Sequence, residues 1–248
     1  MDGAIVTQGS LGRSELSKDL AEIYVSRVLD VATGEGRFVR FLADHLGSFK
    51  EMVGVDLLAP SDDVENVFCQ ERVSFVEMDA SKLAFTDGSF DVVSISSSLH
   101  HMPSPEDVLG EMRRVLASGG HMIIRETHCD VESEPERTDM ILHHWVAKID
   151  RLLDSFHAVT FSRSEVLELI AHMRLHNVRV YDARNIDSHP FDAEALRLTE
   201  QTIDKYLRAA ERLPHFPSME EQAQELRRRL REVGIQWEPE VFVVARKP

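Results

Sequence analysis

The run Val28-Leu29-Asp30-Val31-Ala32-Thr33-Gly34-Glu35-Gly36-Arg37-Phe38 passes from a buried-strand pattern through a G-x-G turn into a helix start. Glycines without a Cβ let a ligand approach the backbone, and the first turn of a helix offers N–H groups with no intrahelical partner. Such a turn binds the polar end of a nucleotide-like molecule. A dinucleotide fingerprint needs a third glycine three positions on, where this chain has Val39, which counts against NAD or FAD. Asp56 ends the next apolar run, at the place where a carboxylate in a doubly wound sheet accepts hydrogen bonds from ribose hydroxyls. Met78-Asp79-Ala80 ends a third run, and Phe90-Asp91-Val92-Val93-Ser94-Ile95 leads into Ser96, Ser97, Ser98 and the His100-His101 pair. Imidazoles titrate near neutrality, so His100 and His101 are the candidates for a general base if one is used.

The remaining chemistry-bearing residues carry less. Twelve histidines raise the question of a metal site, above all His128, His143, His144 and His157 near Cys129. No i, i+4 pair with a matching third ligand occurs among them, so ordinary surface or cleft histidines and no metal are expected. Cys69 and Cys129 stand in no C-x-x-C arrangement, which suggests neither a thiolate zinc site nor a disulfide framework and fits a reducing compartment. The basic run Arg227-Arg228-Arg229 lies on an expected helix with Glu220, Glu221 and Glu225, and reads as an ion-paired, solvated face.

Alternating elements must hold these residues in place. Strands are expected at Arg27 to Ala32, Glu51 to Asp56, Arg72 to Met78, Phe90 to Ile95 and His121 to Arg125, with helices from Ser14, over Gly36 to Leu46, and from a Ser104 cap with Pro105 behind it. Alternation of this kind makes a mostly parallel sheet. After Glu126 the regularity lapses. Ile141, Trp145, Ile149, Leu152 and Phe156 recur at helical spacing and suggest an inserted amphipathic helix over the sheet's C-terminal edge, anchored by Trp145. A capping box of Ser162 with Glu165 starts another helix, Val178 to Tyr181 reads as a sixth strand, and helices follow over Asp192 to Leu213 and Ser218 to Val233, the latter opened by Ser218 with Glu221. Val241 to Val244 closes the chain as a strand.

With 248 residues, 43% hydrophobic and 29% charged, the chain has the balance of a globular protein, not a disordered, collagenous or membrane one. Its formal charge of −15 repels a phosphate backbone, so no nucleic acid is expected. The first residues show no basic leader, and no apolar run approaches the ~20 residues of a spanning helix, so a cytoplasmic protein with no membrane partner is expected.

Taken together, Leu29 to Gly36, Val55-Asp56, Asp79-Ala80, Phe90-Asp91-Val92-Val93, Leu99-His100-His101 and Arg114-Val115-Leu116 with Gly119-Gly120 resemble class I S-adenosylmethionine-dependent methyltransferases. The likeness is greatest to the small-molecule group that includes the ubiquinone and menaquinone C-methyltransferases, and covers about residues 26 to 126. It implies S-adenosyl-L-methionine as cofactor. Gly34 and Gly36 would contact its methionine part and Asp30 would help hold the amino group; Ala32 and Thr33 complete the turn, where the fuller pattern often has another glycine. Asp56 would bind the ribose, Leu57 pack on the adenine, Asp79 reach its exocyclic amine, and the Ala80 N–H meet the ring. Ser96 and Ser97 would line the approach to the acceptor.

The expected fold is therefore a single α/β domain over 1–248, a Rossmann-like, doubly wound, mostly parallel seven-stranded sheet whose last strand is antiparallel beside the sixth. Within it lie an N-terminal helix or flap (1–26), a cofactor-binding core (27–126), a helical insertion or lid (127–160) and a C-terminal part (161–248) with a further insertion at about 184–238, the insertions covering the cofactor cleft. The expected activity is methyl transfer to the oxygen, nitrogen or carbon of a small, partly hydrophobic or aromatic acceptor, by a monomer or homodimer. A catalytically silent S-adenosylmethionine-binding protein and a nicotinamide-dependent oxidoreductase are the alternatives.

Overall fold

The computed structural model describes residues 6–7, 12–60, 68, 71–184 and 188–248. In chain order the elements are β1 (Val6–Thr7), α1 (Gly12–Ala21), β2 (Arg27–Val31), α2 (Arg37–His45), β3 (Glu51–Asp56), β4 (Val73–Glu77), β5 (Phe90–Ser96), a 3-10 turn (Leu99–His101), α3 (Pro105–Val115), β6 (Leu116–Thr127), α4 (Glu134–Leu152), α5 (Arg163–His172), β7 (His176–Ala183), α6 (Ala193–Ala210), α7 (Phe216–Glu232) and β8 (Glu240–Arg246).

One sheet runs in the order β1-β7-β8-β6-β5-β2-β3-β4. Every pairing is parallel except those of β8, which lies antiparallel between β6 and β7. The seven expected strands are thus present in the expected arrangement. The eighth is the two-residue β1, which pairs with β7 in a segment expected to be a flap. The chain winds outward from β2 to β4, then returns to lay β5 on the other side of β2, so a crevice opens at the C-terminal ends of β2 and β5.

Both faces of the sheet are buried, and period-two alternation assigns residues to them. Leu29, Val53, Val93 and Ile124 face a core shared with α3 and α5. Val28, Met52, Val92 and Ile123 face a second core with α1 and α2. A third core is purely helical: Trp145 and Ile149 of α4 pack with Ile203 of α6 and Met219, Ala223 and Leu226 of α7. Trp145 is 4% exposed and anchors its helix as expected.

Helix boundaries differ from the sequence reading chiefly at α4 and α7. The α4 helix starts at Glu134, earlier than the apolar stripe indicated, because Ser133 and Glu136 form a reciprocal capping box; Phe156 lies beyond its end and is exposed. The expected Ser218–Glu221 box does not start α7. Pro217, with its φ already helical, lets the helix begin at Phe216 behind His215, and Ser218 falls inside its first turn. The box of Ser162 with Glu165 forms as expected. The arginine run is ion-paired more widely than local spacing implied: Arg227 meets Glu200 and Asp204 of α6, Arg228 meets Glu225 and Glu232, and Arg229 meets Glu134 of α4. Among the described residues, no helix is long and apolar enough to cross a membrane.

Gly54 of β3 shows how tightly the sheet grips the turn after β2. A Cβ there would come 2.8 Å from Phe68 and 2.9 Å from the Thr33 side chain. Gly54→Ala is expected to destabilise the fold by about 1–3 kcal/mol through overpacking. Chemical denaturation measures this, and an unchanged midpoint would show that the turn yields freely.

Candidate functional site

The backbone turns sharply where β2 ends. Ala32, Gly34 and Gly36 all have positive φ, at 52°, 49° and 74°. For the glycines this conformation is free of a Cβ clash, whereas for Ala32 it stores about 1–3 kcal/mol of strain. Neighbouring bonds hold the turn: the Thr33 N–H donates to Val55 O (3.0 Å) and the Gly36 N–H to Thr33 O (2.9 Å). Beneath them lies the Asp30 carboxylate, 1% exposed, which accepts from Thr33 Oγ1 at 2.7 Å and from Ser94 Oγ of β5 at 2.6 Å. Burial, and the nearby Asp56 charge, push its pKa up to about 6 against the two hydroxyls that favour the ionised form. Asp30 therefore braces the turn from below, and its oxygens are already occupied by hydroxyls.

Asp56, at the tip of β3, accepts the Gly34 N–H at 2.8 Å and the Leu58 N–H at 3.3 Å. Leu57 beside it is 64% exposed, an apolar surface with nothing packed on most of it. Asp79 accepts from Ser81 N–H (2.8 Å) and Ser81 Oγ (2.7 Å), and these bonds hold its carboxyl below the usual range. The Ala80 N–H has no hydrogen-bond partner among the described residues. Ala32, Asp56, Leu57, Asp79 and Ala80 help line a cavity of about 340 Å³, together with His101, Met102, Pro103, Ser104, Asp107 and Val108.

Six of the sequence-predicted site residues (Ala32, Asp56, Leu57, Asp79, Ala80 and His101) thus line one cavity. Thr33, Gly34 and Gly36 form the adjoining turn. Ser96 and Ser97 stand at the end of β5 but outside that wall, fastened to β6: Ser96 Oγ accepts from Arg125, and Ser97 N–H donates to Arg125 O at 2.8 Å. Ser97 also has positive φ, 45°, so the exits of both central strands are strained.

The paired histidines do not behave alike. His100 is buried, its Nδ1 2.9 Å from Oε1 of Glu126, which is wholly buried and also accepts the N–H groups of Leu99 and Thr127. His101 is exposed on its cavity side and lies against the His157 ring, centroids 3.9 Å apart. Loss of water around the ring, then the neighbouring imidazoles, push its pKa down to about 3, so it is neutral at pH 7. His143 of α4 completes the group, its Nδ1 2.8 Å from Glu238 Oε2; burial opposes its charge, but the carboxylate wins and raises its pKa. His157 contacts Asp150 Oδ2 through Nδ1 at 2.7 Å, and burial lowers its pKa.

One ring nitrogen from each of His100, His101, His143 and His157 lies within 4.8 Å of the others. The sequence reading weighed His143 and His157 with His128, His144 and Cys129; the fold instead joins them to the 3-10 turn some forty residues upstream. Local spacing holds no trace of this, nor of Glu126 and Glu238, which the antiparallel β6–β8 pair brings to the same end of the sheet. Met102 and Pro103 could have been named from the sequence as the immediate continuation of the histidine pair.

Residues 29–124 match the family model described as Methyltransferase domain. A demethylmenaquinone methyltransferase of Thermus thermophilus is 37% identical over 103 residues, which make up 40% of this chain and 46% of that protein. The chain spans about half the length of the curated relatives it matches. Among solved structures, the YcgJ protein of Bacillus subtilis superposes with a TM-score of 0.56 at 20% identity, covering 94% of this chain and 97% of that one. Phosphoethanolamine N-methyltransferase 2 of Haemonchus contortus, solved in complex with S-adenosyl-L-methionine, gives 0.53 at 18% identity, covering 94% and 52%. These likenesses bear out the α/β architecture and the resemblance read from residues 26 to 126.

The Asp30 brace carries a pH signature. Its folded pKa of about 6 stands above the ordinary 3.8, so between those values the folded protein holds more protons than the unfolded chain and stability falls as pH rises. The lost contribution is about 3 kcal/mol. Asp30→Asn keeps an acceptor for the hydroxyls and removes the titration. The melting temperature of the variant minus that of the wild type should increase from pH 4 to pH 7; a flat difference would show that Asp30 is not held protonated by burial.

Proposed function

We propose, on the premise that residues 29–124 form a methyltransferase domain, that the chain transfers the methyl group of S-adenosyl-L-methionine to a small-molecule acceptor. The observation that carries this reading is the meeting of the strained turn, the Asp56 carboxylate and the Asp79-Ala80 corner on a single cavity. Asp56 would exchange the Gly34 and Leu58 N–H groups for ribose hydroxyls, which frees the Gly34 amide for the amino-acid end of the cofactor. Leu57, now bare, would cover one face of the adenine. The unpartnered Ala80 N–H and the Asp79 carboxylate would read the adenine edge. Asp30 would act at one remove, holding Thr33 and hence the turn in its left-handed path.

The bound cofactor supplies a sulfonium methyl that is already activated for displacement. What remains for the protein is alignment and exclusion of water, and alignment alone accounts for roughly 7–11 kcal/mol of barrier in well-oriented reactions. His101, Met102, Pro103, Ser104, Asp107 and Val108 line the same cavity. Their largely apolar surface suits a partly hydrophobic or aromatic acceptor. His101 would stand beside the acceptor in this cavity, while His100 next to it is tied to Glu126.

Calorimetric titration with S-adenosylmethionine, S-adenosylhomocysteine and NADH tests the assignment. Both adenosyl ligands should bind and stabilise the fold, by about 2.7 kcal/mol at 100-fold excess over Kd, and NADH should do neither. Asp56→Ala should weaken adenosyl binding at least tenfold, about 1.4 kcal/mol. A response to NADH alone would replace this reading with a nicotinamide-dependent one, and undiminished binding by Asp56→Ala would move the ribose elsewhere.

A further inference from the structure

The geometry points to a divalent transition-metal site formed by His100, His143 and His157, with His101 as a fourth ligand on its cleft side. Each of the first three has its Nδ1 within hydrogen-bond distance of a carboxylate: Glu126 for His100 at 2.9 Å, Glu238 for His143 at 2.8 Å and Asp150 for His157 at 2.7 Å. A carboxylate accepts only, so each ring places its N–H on Nδ1 and turns the Nε2 lone pair away from its partner. This is the outer-shell arrangement that orients metal-ligating imidazoles and raises their basicity. The carboxylates are secured in turn. Glu126 takes two backbone N–H groups, Glu238 accepts from Thr160 Oγ1 at 3.0 Å, and Asp150 accepts from the Tyr206 hydroxyl at 3.4 Å.

The freed nitrogens converge. Nε2 of His143 and Nε2 of His157 are 3.2 Å apart, two lone pairs directed at one another unless something positive lies between them. A proton can bridge that pair, but it leaves the free nitrogens of His100 and His101 in the same group without a partner. An ion serves all four. Two imidazole nitrogens on a tetrahedral zinc ion stand about 3.3 Å apart, close to the separation found, and drawing in the rest of a set that spans 4.8 Å needs ring movements of about 1 Å. Nitrogen-only ligation without thiolate selects borderline divalent ions of the zinc, cobalt and nickel kind over magnesium or calcium. The three surrounding carboxylates supply the charge that balances a dication.

His101 is the one ligand without an anchoring carboxylate, and it forms part of the cavity wall. An ion here would stand at the acceptor end of the cleft, able to take a lone pair from an acceptor oxygen or nitrogen when His101 gives way. That placement rests on the reading under Proposed function; binding of the ion does not.

The full chain, stripped with chelator and dialysed, is titrated with ZnSO4 by calorimetry and with CoCl2 by visible absorption. One ion per chain and the intense d–d bands of tetrahedral cobalt are expected. His143→Gln and His157→Gln, which retain much of the side-chain volume, should each weaken zinc binding at least 100-fold, and Glu238→Gln by 10–100-fold. His45→Gln, on α2 and outside the cluster, should bind as the wild type does. Stabilisation by S-adenosylhomocysteine in His157→Gln reports separately on the cofactor site, so failure of one reading leaves the other standing. Weak zinc binding that His143→Gln and His157→Gln leave unchanged would overturn the site. So would a nitrogen-15 imidazole spectrum, taken with zinc present, that still shows one proton shared between His143 and His157.

Discussion

The bond pair Thr33–Asp30–Ser94 is the constraint on which the cleft depends. Asp30 lies in β2 where the winding order of the sheet reverses, and its carboxylate links the turn after β2 to the adjacent strand β5. That link adds to the backbone bonds of Thr33 and Gly36 in holding three left-handed residues in a row of five. The turn thus uses a buried carboxylate whose desolvation is opposed by two hydroxyls to secure a strained backbone. A carboxylate so enclosed also brings the strength of the low-dielectric interior to each of its bonds, which is why replacing either hydroxyl would disturb the turn more than its distance from the cavity implies.

The fold was legible where local pattern and tertiary structure agree. Val28 and Leu29 face opposite cores as period two demands, and Ala32, Asp56, Asp79 and Ala80 reach one crevice because the ends of successive parallel strands do so in any sheet of this winding. Helix starts were less secure. Ser218 and Glu221 have the right spacing for a capping box, yet Pro217 and the packing of Met219 into the helical core favour an earlier start, while the true box at Ser133 lies before the apolar stripe that marked the helix.

The histidine group was illegible for a different reason. Its members come from the exit of β5, the middle of α4 and the loop beyond α4, and their carboxylates from β6, α4 and the approach to β8. No short window of sequence holds more than two of the four histidines. What joins them is topology: β8 runs antiparallel beside β6, so Glu238, just before β8, returns to the end of the sheet at which Glu126 and the 3-10 turn already lie. Ligand spacing in sequence is informative only when one or two elements supply the site, and here five do.

The same topology accounts for how the helical insertions meet the rest of the molecule. The core of α4, α6 and α7 is separate from the two cores that flank the sheet. At the edge of the cleft the contact between these units is the polar group of His100, His101, His143 and His157 with Glu126 and Glu238, together with the Ala158 N–H bonded to His100 O at 2.8 Å. Apolar faces slide with little change in energy, but charge-assisted bonds near 2.8 Å depend steeply on distance and angle. A helical unit joined to the cleft through such bonds has its position set more closely than apolar packing alone would set it. The His101 ring, its centroid 3.9 Å from that of His157, brings the cleft wall against the segment that follows α4.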